Sequence, residues 1–394
     1  MQAKQKYEDL ELLRGLAAVG VTIYHFNHGF MSAETASQAA RSLGIVVEPP
    51  FVLGIFNGPF MVAIFFVLSS YSLTFRLLET RRPKAVLIAI AKRLPRLFPL
   101  AFVGALFAGL LQVAGLMFNR EAAALTGSEW MSRTGGVKMG PGWDEPSLLG
   151  AALDGVVLFV NGFSQYNAAL WTMGLELIGG ILALITAALI AGSLRPVRDL
   201  VIAAALVIGG LYIHPLCAVC VGAVLVTKYL HHRPVRFSAR IAVPLLILGV
   251  VIGSSYSVFE DVLEGGPFEA QADRLQWLLH GFAALIVFLG VHCWGRLRDR
   301  SWPVGRWLGR MSFSTYVLHM PVHASVGAGL IVLLGYSGLT TLVALAASMA
   351  VIFLLSIPLA AFDERWVKVV NRTAAKWTNR LPAERAKPVG SDAP

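Results

Sequence analysis

The stretch LLRGLAAVGVTIYHFNHGF, residues 12–30, has the length of a membrane span but carries Arg14, His25 and His28. About 20 apolar residues cross the hydrocarbon core as a helix, and ionisable side chains are costly there unless they have a function. Arg14 and His25 are eleven residues apart, about 20° beyond three full helical turns. They therefore share one helix face, about 16 Å apart along its axis. His28 lies nearer the end of the stretch, at the predicted membrane interface, where a histidine needs no special function.

The rest of the chain repeats this apolar character. It is 56% hydrophobic and 14% charged over 394 residues, against about 25% charged in soluble domains. The pattern predicts an all-α, polytopic transmembrane bundle of about ten spans: 12–30, 54–75, 97–118, 168–191, 199–213, 214–229, 241–257, 275–294, 311–334 and 339–362. It predicts one membrane domain, 1–362, and a basic, partly disordered cytoplasmic tail, 363–394.

The basic residues predict the orientation. With the N-terminus inside, all but five of the 33 Lys and Arg face the cytoplasm, the exceptions being Arg41, Arg120, Arg133, Lys138 and Arg274. This is the positive-inside pattern, so both termini are predicted to be cytoplasmic and the protein to lie in the cytoplasmic (inner) membrane. Basic residues that flank spans argue against a nucleic-acid partner. The outer loops are 31–53, 119–167 and 258–274, and the apolar segment 148–161 is short enough to be re-entrant or interfacial.

Further ionisable residues occur within or beside the predicted spans. Arg93 and Arg96, spaced i, i+3 in KRLPRLFP, share a helix face. They either bind phosphate groups through forked hydrogen bonds or anchor the span. Glu176 in LWTMGLELIGG needs a partner or a proton; it pairs with an arginine or orients a histidine.

The ninth predicted span adds a polar face. In GRMSFSTYVLHMPVH, Ser312, Tyr316 and His319 lie near one side of the helix. The histidines are not grouped with carboxylates at ligand spacing, so no metal is predicted. Cys217 and Cys220 are read as small apolar packing residues within a span.

Five short segments occur in a specific order: LELLRGLAAVGVTIYHF, FFVLSSYSL, RLPRLFP, WTMGLE and SFSTYVLHMPV. Together they resemble the motifs of the acyltransferase-3 family, bacterial integral membrane O-acyltransferases that act on carbohydrates. The resemblance covers residues 10 to about 322. The sequence departs from the family pattern at Glu11 and Leu12, at Ser70, at Leu100, at Leu177, and at Gly179 and Gly180, where aromatic residues are usual.

The resemblance implies transfer of an acyl group, with acetyl expected, from cytoplasmic acyl-CoA to a hydroxyl of a cell-envelope or exported polysaccharide at the outer face. It assigns Arg93 and Arg96 to the phosphates of CoA, with Arg14 assisting. It makes His25 the general base or, alternatively, the residue that accepts the acyl group. Glu176 and His319 complete the expected catalytic set, and membrane lipids surround the protein.

Two other functions fit part of the sequence. Intramembrane charges also line the paths of transporters, so a transporter or flippase of a lipid-linked sugar is the main alternative. A non-catalytic partner in polysaccharide export is another. The arginine pair on the cytoplasmic side, together with a histidine in the outer half of a span, favours the enzyme over both.

Overall fold

The computed structural model describes residues 7–32, 35, 56–78, 83–134, 145–192, 194–255, 266 and 269–380. Most of the predicted outer loops 31–53 and 258–274, and the tail beyond 380, lie outside these ranges, as do Arg41 and Lys138. The part that is described is helical and contains no strand.

The described α-helices are, in chain order, α1 (Glu8–Phe30), α2 (Gly58–Thr74), α3 (Pro83–Ala91), α4 (Arg93–Val113), α5 (Asn119–Thr126), α6 (Glu129–Thr134), α7 (Leu148–Asn161), α8 (Trp171–Ile190), α9 (Pro196–Ile213), α10 (Pro215–His232), α11 (Ala239–Gly253), α12 (Ala272–His292), α13 (Gly295–Arg298), α14 (Pro303–Val322), α15 (Ala328–Leu334) and α16 (Gly338–Arg380). A 3₁₀ turn, Ala168–Leu170, precedes α8, and a π-helical turn, His323–Gly327, joins α14 to α15.

Seven helical segments in the described ranges are long and apolar enough to cross a membrane. Three further apolar helices, α2, α7 and α11, are shorter, and α1 belongs to neither group. The chain is therefore a multi-pass membrane protein, while ten spans and cytoplasmic termini remain predictions. The predicted domain boundary at 362 also stays a prediction, although α16 runs through it as one helix.

Among the described helices, α1 and α14 make the most extensive contact, and this contact depends on glycine. A Cβ on Gly15 would lie 2.8 Å from the carbonyl carbon of Leu308, and one on Gly309 would lie 2.6 Å from the carbonyl oxygen of Glu11. Small residues let helix backbones approach closely in a membrane. These two glycines therefore bring the helices that carry His25 and His319 into direct contact.

A second set of contacts fixes the start of α8. The Asn167 side-chain amide donates to the carbonyl oxygens of Gly104 in α4 (3.2 Å) and Val317 in α14 (2.8 Å). Its side-chain oxygen accepts from the Ala169 N–H. Because these groups are buried and paired, α8 enters the bundle at a fixed position between α4 and α14.

Candidate active site

A cavity of about 220 Å³ lies inside the bundle. Side chains of six helices line it, namely α1, α2, α4, α8, α14 and α16. Along α2 the lining runs from Val62 to Leu73, which is about 16 Å of helix. The cavity is therefore an elongated space that follows the helix axes.

One end of the cavity is rich in arginine. Arg14, Arg96 and Arg310 line it there, together with Asp363. Arg14 lies 3.2 Å from Glu11 and Arg310 lies 2.7 Å from Glu364. Both ion pairs are partly exposed, and such pairs contribute little to stability. These arginines can therefore exchange their carboxylate partners for an anionic ligand at little cost.

Arg93 lies in the wall of the same cavity but is engaged differently. It is buried, and its Nη2 donates to the Glu176 carboxylate (2.8 Å) and to the Glu176 carbonyl oxygen (2.7 Å). Ser69 donates to the same carboxylate oxygen at 2.6 Å. Of the two partners predicted for Glu176, the structure places the arginine beside it. Arg93 and Arg96 thus differ in their contacts: both line the cavity, but Arg93 is held in an ion pair with Glu176.

Gly180 provides the space for this ion pair. A Cβ at Gly180 would lie 2.6 Å from Cζ of Arg93, which is too close for two non-bonded atoms. The departure of this sequence from the family pattern at residue 180 is therefore linked to the position of Arg93. An aromatic side chain at this position would displace the guanidinium.

Tyr316 closes the other end of the cavity. Its hydroxyl donates to the Ala169 carbonyl oxygen (2.9 Å) and shares a 2.8 Å hydrogen bond with the Thr172 hydroxyl. Its ring lies edge-on to Phe65 at a centroid distance of 6.0 Å, inside the cavity, and 5.5 Å from the ring of His319, beyond it. The tyrosine ring therefore stands between the cavity and the histidines.

His25 and His319 form a hydrogen-bonded pair. His319 Nε2 lies 3.0 Å from His25 Nδ1. His319 Nδ1 lies 2.6 Å from the Tyr316 carbonyl oxygen, and His25 Nδ1 lies 3.1 Å from the Val21 carbonyl oxygen. His319 is fully buried and His25 half-buried. Two of the histidines singled out from the sequence are thus brought into contact.

The carbonyl partners determine where the protons lie. A carbonyl oxygen only accepts, so His319 Nδ1 must carry a hydrogen, and Nε2 of the neutral ring then accepts. His25 Nδ1 faces two acceptors, the Val21 carbonyl oxygen and His319 Nε2, so it must donate. The unprotonated nitrogen of a neutral His25 is therefore Nε2. A nitrogen with a free lone pair is what a general base requires.

His323 is a further histidine at this site that the sequence analysis did not single out. It is fully buried, its Nε2 donates to the Thr22 carbonyl oxygen of α1 (3.0 Å), and its ring lies 6.0 Å from that of His319. It begins the π-helical turn after Pro321, and such turns are frequent at functional sites. The motif MPVH was visible in the sequence, but nothing in it indicated a contact with α1.

Three further expectations concern metal ligands, the two cysteines of one span, and a histidine as the alternative partner of Glu176. The described residues hold no group of three or more His, Cys, Asp or Glu side chains arranged for a metal ion. Cys217 and Cys220 are buried free thiols. His25 hydrogen-bonds with His319, whereas the Glu176 carboxylate bonds with Arg93 and Ser69.

The fold and the site define a helical, multi-pass membrane protein with a basic cavity that ends beside a hydrogen-bonded histidine pair. The family model described as an acyltransferase domain, that of the acyltransferase-3 family, matches residues 7–361. The chain belongs to this family, as its motifs indicated, and is a membrane acyltransferase. Comparison with curated proteins and with solved structures found no match.

Proposed function

We propose that this acyltransferase takes an acyl group, with acetyl expected, from acyl-CoA and transfers it to a hydroxyl of a cell-envelope or exported polysaccharide. The observation that carries the proposal is the relation between cavity and histidines. Arginines line one end of the cavity, and Tyr316 at the other end lies 5.5 Å, between ring centroids, from His319 of the His25–His319 pair.

The arginine end suits the donor. Arg93 and Glu176 neutralise each other, which leaves Arg14, Arg96 and Arg310 against Asp363 in the cavity lining. Arginine binds phosphate oxygens through forked, charge-assisted hydrogen bonds. We assign the phosphates of CoA to Arg96 and Arg14, while Arg93 shapes the wall through Glu176. The pantetheine arm then follows the cavity towards Tyr316.

The orientation follows from the charge distribution. Lys and Arg concentrate on the side of the membrane that holds Arg14, as cytoplasmic loops do. This supports a cytoplasmic position for the arginine end, where acyl-CoA is made, and a position of the His25 end towards the outer face of the inner membrane. Both termini then lie inside, and the carbohydrate acceptor arrives from outside.

The reaction is a nucleophilic acyl transfer. His25 Nε2 removes the proton of an acceptor hydroxyl while its oxygen attacks the thioester carbonyl. The tetrahedral intermediate collapses, the carbon–sulfur bond breaks, and the thiolate of CoA takes up the proton. His319 Nε2 and the Val21 carbonyl oxygen stabilise the imidazolium through Nδ1–H. General base catalysis of this kind typically contributes about 10²–10⁴-fold to a rate.

Labelled transfer tests the proposal. Membranes that contain the wild type, His25→Ala or His232→Ala receive radiolabelled acetyl-CoA, and label is counted in the envelope glycans. His232 is an exposed histidine on α10 and serves as the control. We expect label with the wild type and the control and none with His25→Ala. Equal label with all three proteins would show that His25 does not take part in the reaction. Movement of a lipid-linked sugar without acetyl transfer would favour the transporter.

A further inference from the structure

Four aromatic rings meet at the His25 end of α1. Trp130 of α6 stacks on His25 with 5.8 Å between ring centroids and 16° between planes. It lies edge-on to His28 at 4.9 Å. Tyr24 stacks on His28 at 5.6 Å and lies edge-on to His25 at 5.0 Å. The histidine of the pair is therefore surrounded on this side by flat rings.

The position of Trp130 is fixed by its neighbour Met131, which is fully buried. A Cβ on Gly29 of α1 would overlap Met131 Cε, so α6 lies directly on the end of α1. The Asn119 side chain also donates to the Met131 carbonyl oxygen at 3.3 Å. Trp130 thus belongs to the outer loop 119–167 but is held rigidly against α1.

The exposure of the rings leaves an accessible surface. His28 is exposed, and Tyr24, His25 and Trp130 are each half-buried. Flat rings with polar edges suit a pyranose, whose C–H groups form an apolar face and whose hydroxyls lie around its rim. A long alkyl chain would make no use of the imidazole edge of His28.

We propose that Trp130, with His28 and Tyr24, forms the subsite for a pyranose ring of the acceptor. A sugar ring packed on the part of Trp130 that His25 leaves uncovered places a hydroxyl next to His25, whose Nε2 is the base. This inference rests on the proposed function and adds to it the surface that selects the acceptor. Trp130 is a specificity-determining residue in this arrangement, and His25 remains the catalytic residue.

Kinetics of the full-length protein in membranes test the subsite. The variants are Trp130→Ala, Trp130→Phe and the control Trp307→Ala, which removes a Trp that is 44% exposed and packs on Phe353. The glycan fraction of the source cells is titrated against radiolabelled acetyl-CoA, and acetyl-CoA is titrated at fixed glycan. We expect Trp130→Ala to raise the half-saturating glycan concentration at least about tenfold. Trp130→Phe keeps a flat ring and should raise it less.

The two titrations separate the possible outcomes. The acetyl-CoA concentration that gives half the maximal rate should stay within about twofold of the wild-type value for all three variants. The proposed subsite is wrong if Trp130→Ala and Trp307→Ala have the same half-saturating glycan concentration. It is also wrong if Trp130→Ala changes only the half-saturating concentration of acetyl-CoA. Absence of transfer by the wild type instead overturns the proposed function. If Trp130→Ala does not accumulate in the membrane, Trp130→Leu carries the same test, because it keeps apolar volume without a flat ring.

Discussion

His319 Nε2 lies 3.0 Å from His25 Nδ1, and the two residues are 294 positions apart in the chain. Gly15 of α1 packs on Gly309 of α14, also 294 positions away. The two helices therefore stay in register over ten residues, about 15 Å. Close packing of glycines at one end fixes the histidine pair at the other.

The first prediction concerns His319. His319→Ala should lower the rate of acetyl transfer by about 10–100-fold, because His25 loses the partner that orients its ring; losing such a partner costs about this much for metal-bound histidines. His319→Gln should recover part of that loss, since its side-chain oxygen can accept from His25 Nδ1. Half-saturation by acetyl-CoA should not change in either variant. A loss of the same size in His319→Gln and His319→Ala would show that accepting this hydrogen bond is not the role of His319.

The second prediction concerns Arg96, which lines the arginine end of the cavity. Arg96→Ala should raise the half-saturating concentration of acetyl-CoA by about 10–100-fold, since a charge-assisted hydrogen bond contributes about 1.5–3 kcal/mol. Arg120→Ala removes an exposed arginine from α5, outside the cavity lining, and is the control. If the half-saturating concentration of acetyl-CoA is the same for the two variants, Arg96 only anchors the helix in the membrane.

The third prediction separates Arg93 from Arg96. Arg93→Ala leaves the Glu176 carboxylate, only 15% exposed, without its ionic partner, which should lower the free energy of unfolding by up to about 3–5 kcal/mol. The double variant Arg93→Met/Glu176→Met should recover most of this loss. Arg236→Ala breaks an exposed pair with Asp299 and should cost less than about 1 kcal/mol. Thermal unfolding in detergent measures all three.

Arg93→Ala also distinguishes the two roles predicted for this arginine. If the variant unfolds like the wild type but binds acetyl-CoA as weakly as Arg96→Ala, Arg93 holds a phosphate directly. The structural assignment to Glu176 would then be incorrect.

The fourth prediction uses Gly180, whose Cβ position overlaps the guanidinium of Arg93. Gly180→Ala should displace Arg93 and lower the free energy of unfolding by about 1–3 kcal/mol, the usual effect of an unpaired buried polar group. Gly209→Ala is the matched control in α9, because no atom lies within 4 Å of a Cβ there. That substitution should be neutral or stabilise by up to about 1 kcal/mol. Equal effects of the two would show that Arg93 adapts freely.

The fifth prediction concerns Tyr316, which separates the cavity from the histidine pair. Tyr316→Phe keeps the ring and the carbonyl oxygen that holds His319 but removes both hydroxyl contacts. Hydrolysis of acetyl-CoA without glycan should rise severalfold, because a ring that its hydroxyl no longer holds in place lets water reach the thioester. Tyr336→Phe removes a hydroxyl that donates to the Phe30 carbonyl oxygen, outside the cavity lining, and should not change hydrolysis. An unchanged rate in Tyr316→Phe would mean that its hydroxyl does not close the cavity.

The helices, the common face of Arg14 and His25, and the family could be predicted from the sequence. Hydrophobic length and helical periodicity act within one segment, so local composition is enough to determine them. The order of the five motifs identified the family, and the match over residues 7–361 confirms it. The partner of Glu176 remained open, because its residue type fits both an arginine and a histidine.

Only the tertiary structure decided which residues of different helices meet. The His25–His319 contact, the Arg93–Glu176 pair, and the packing of Trp130 on His25 all join distant segments. In a membrane, side chains that face lipid are as apolar as those that face other helices, so hydropathy does not tell which face is buried. Glycines that allow close approach set the register between helices instead, as Gly15 and Gly309 do for α1 and α14. The sequence thus determined the residues available for chemistry, and helix packing determined which of them act together.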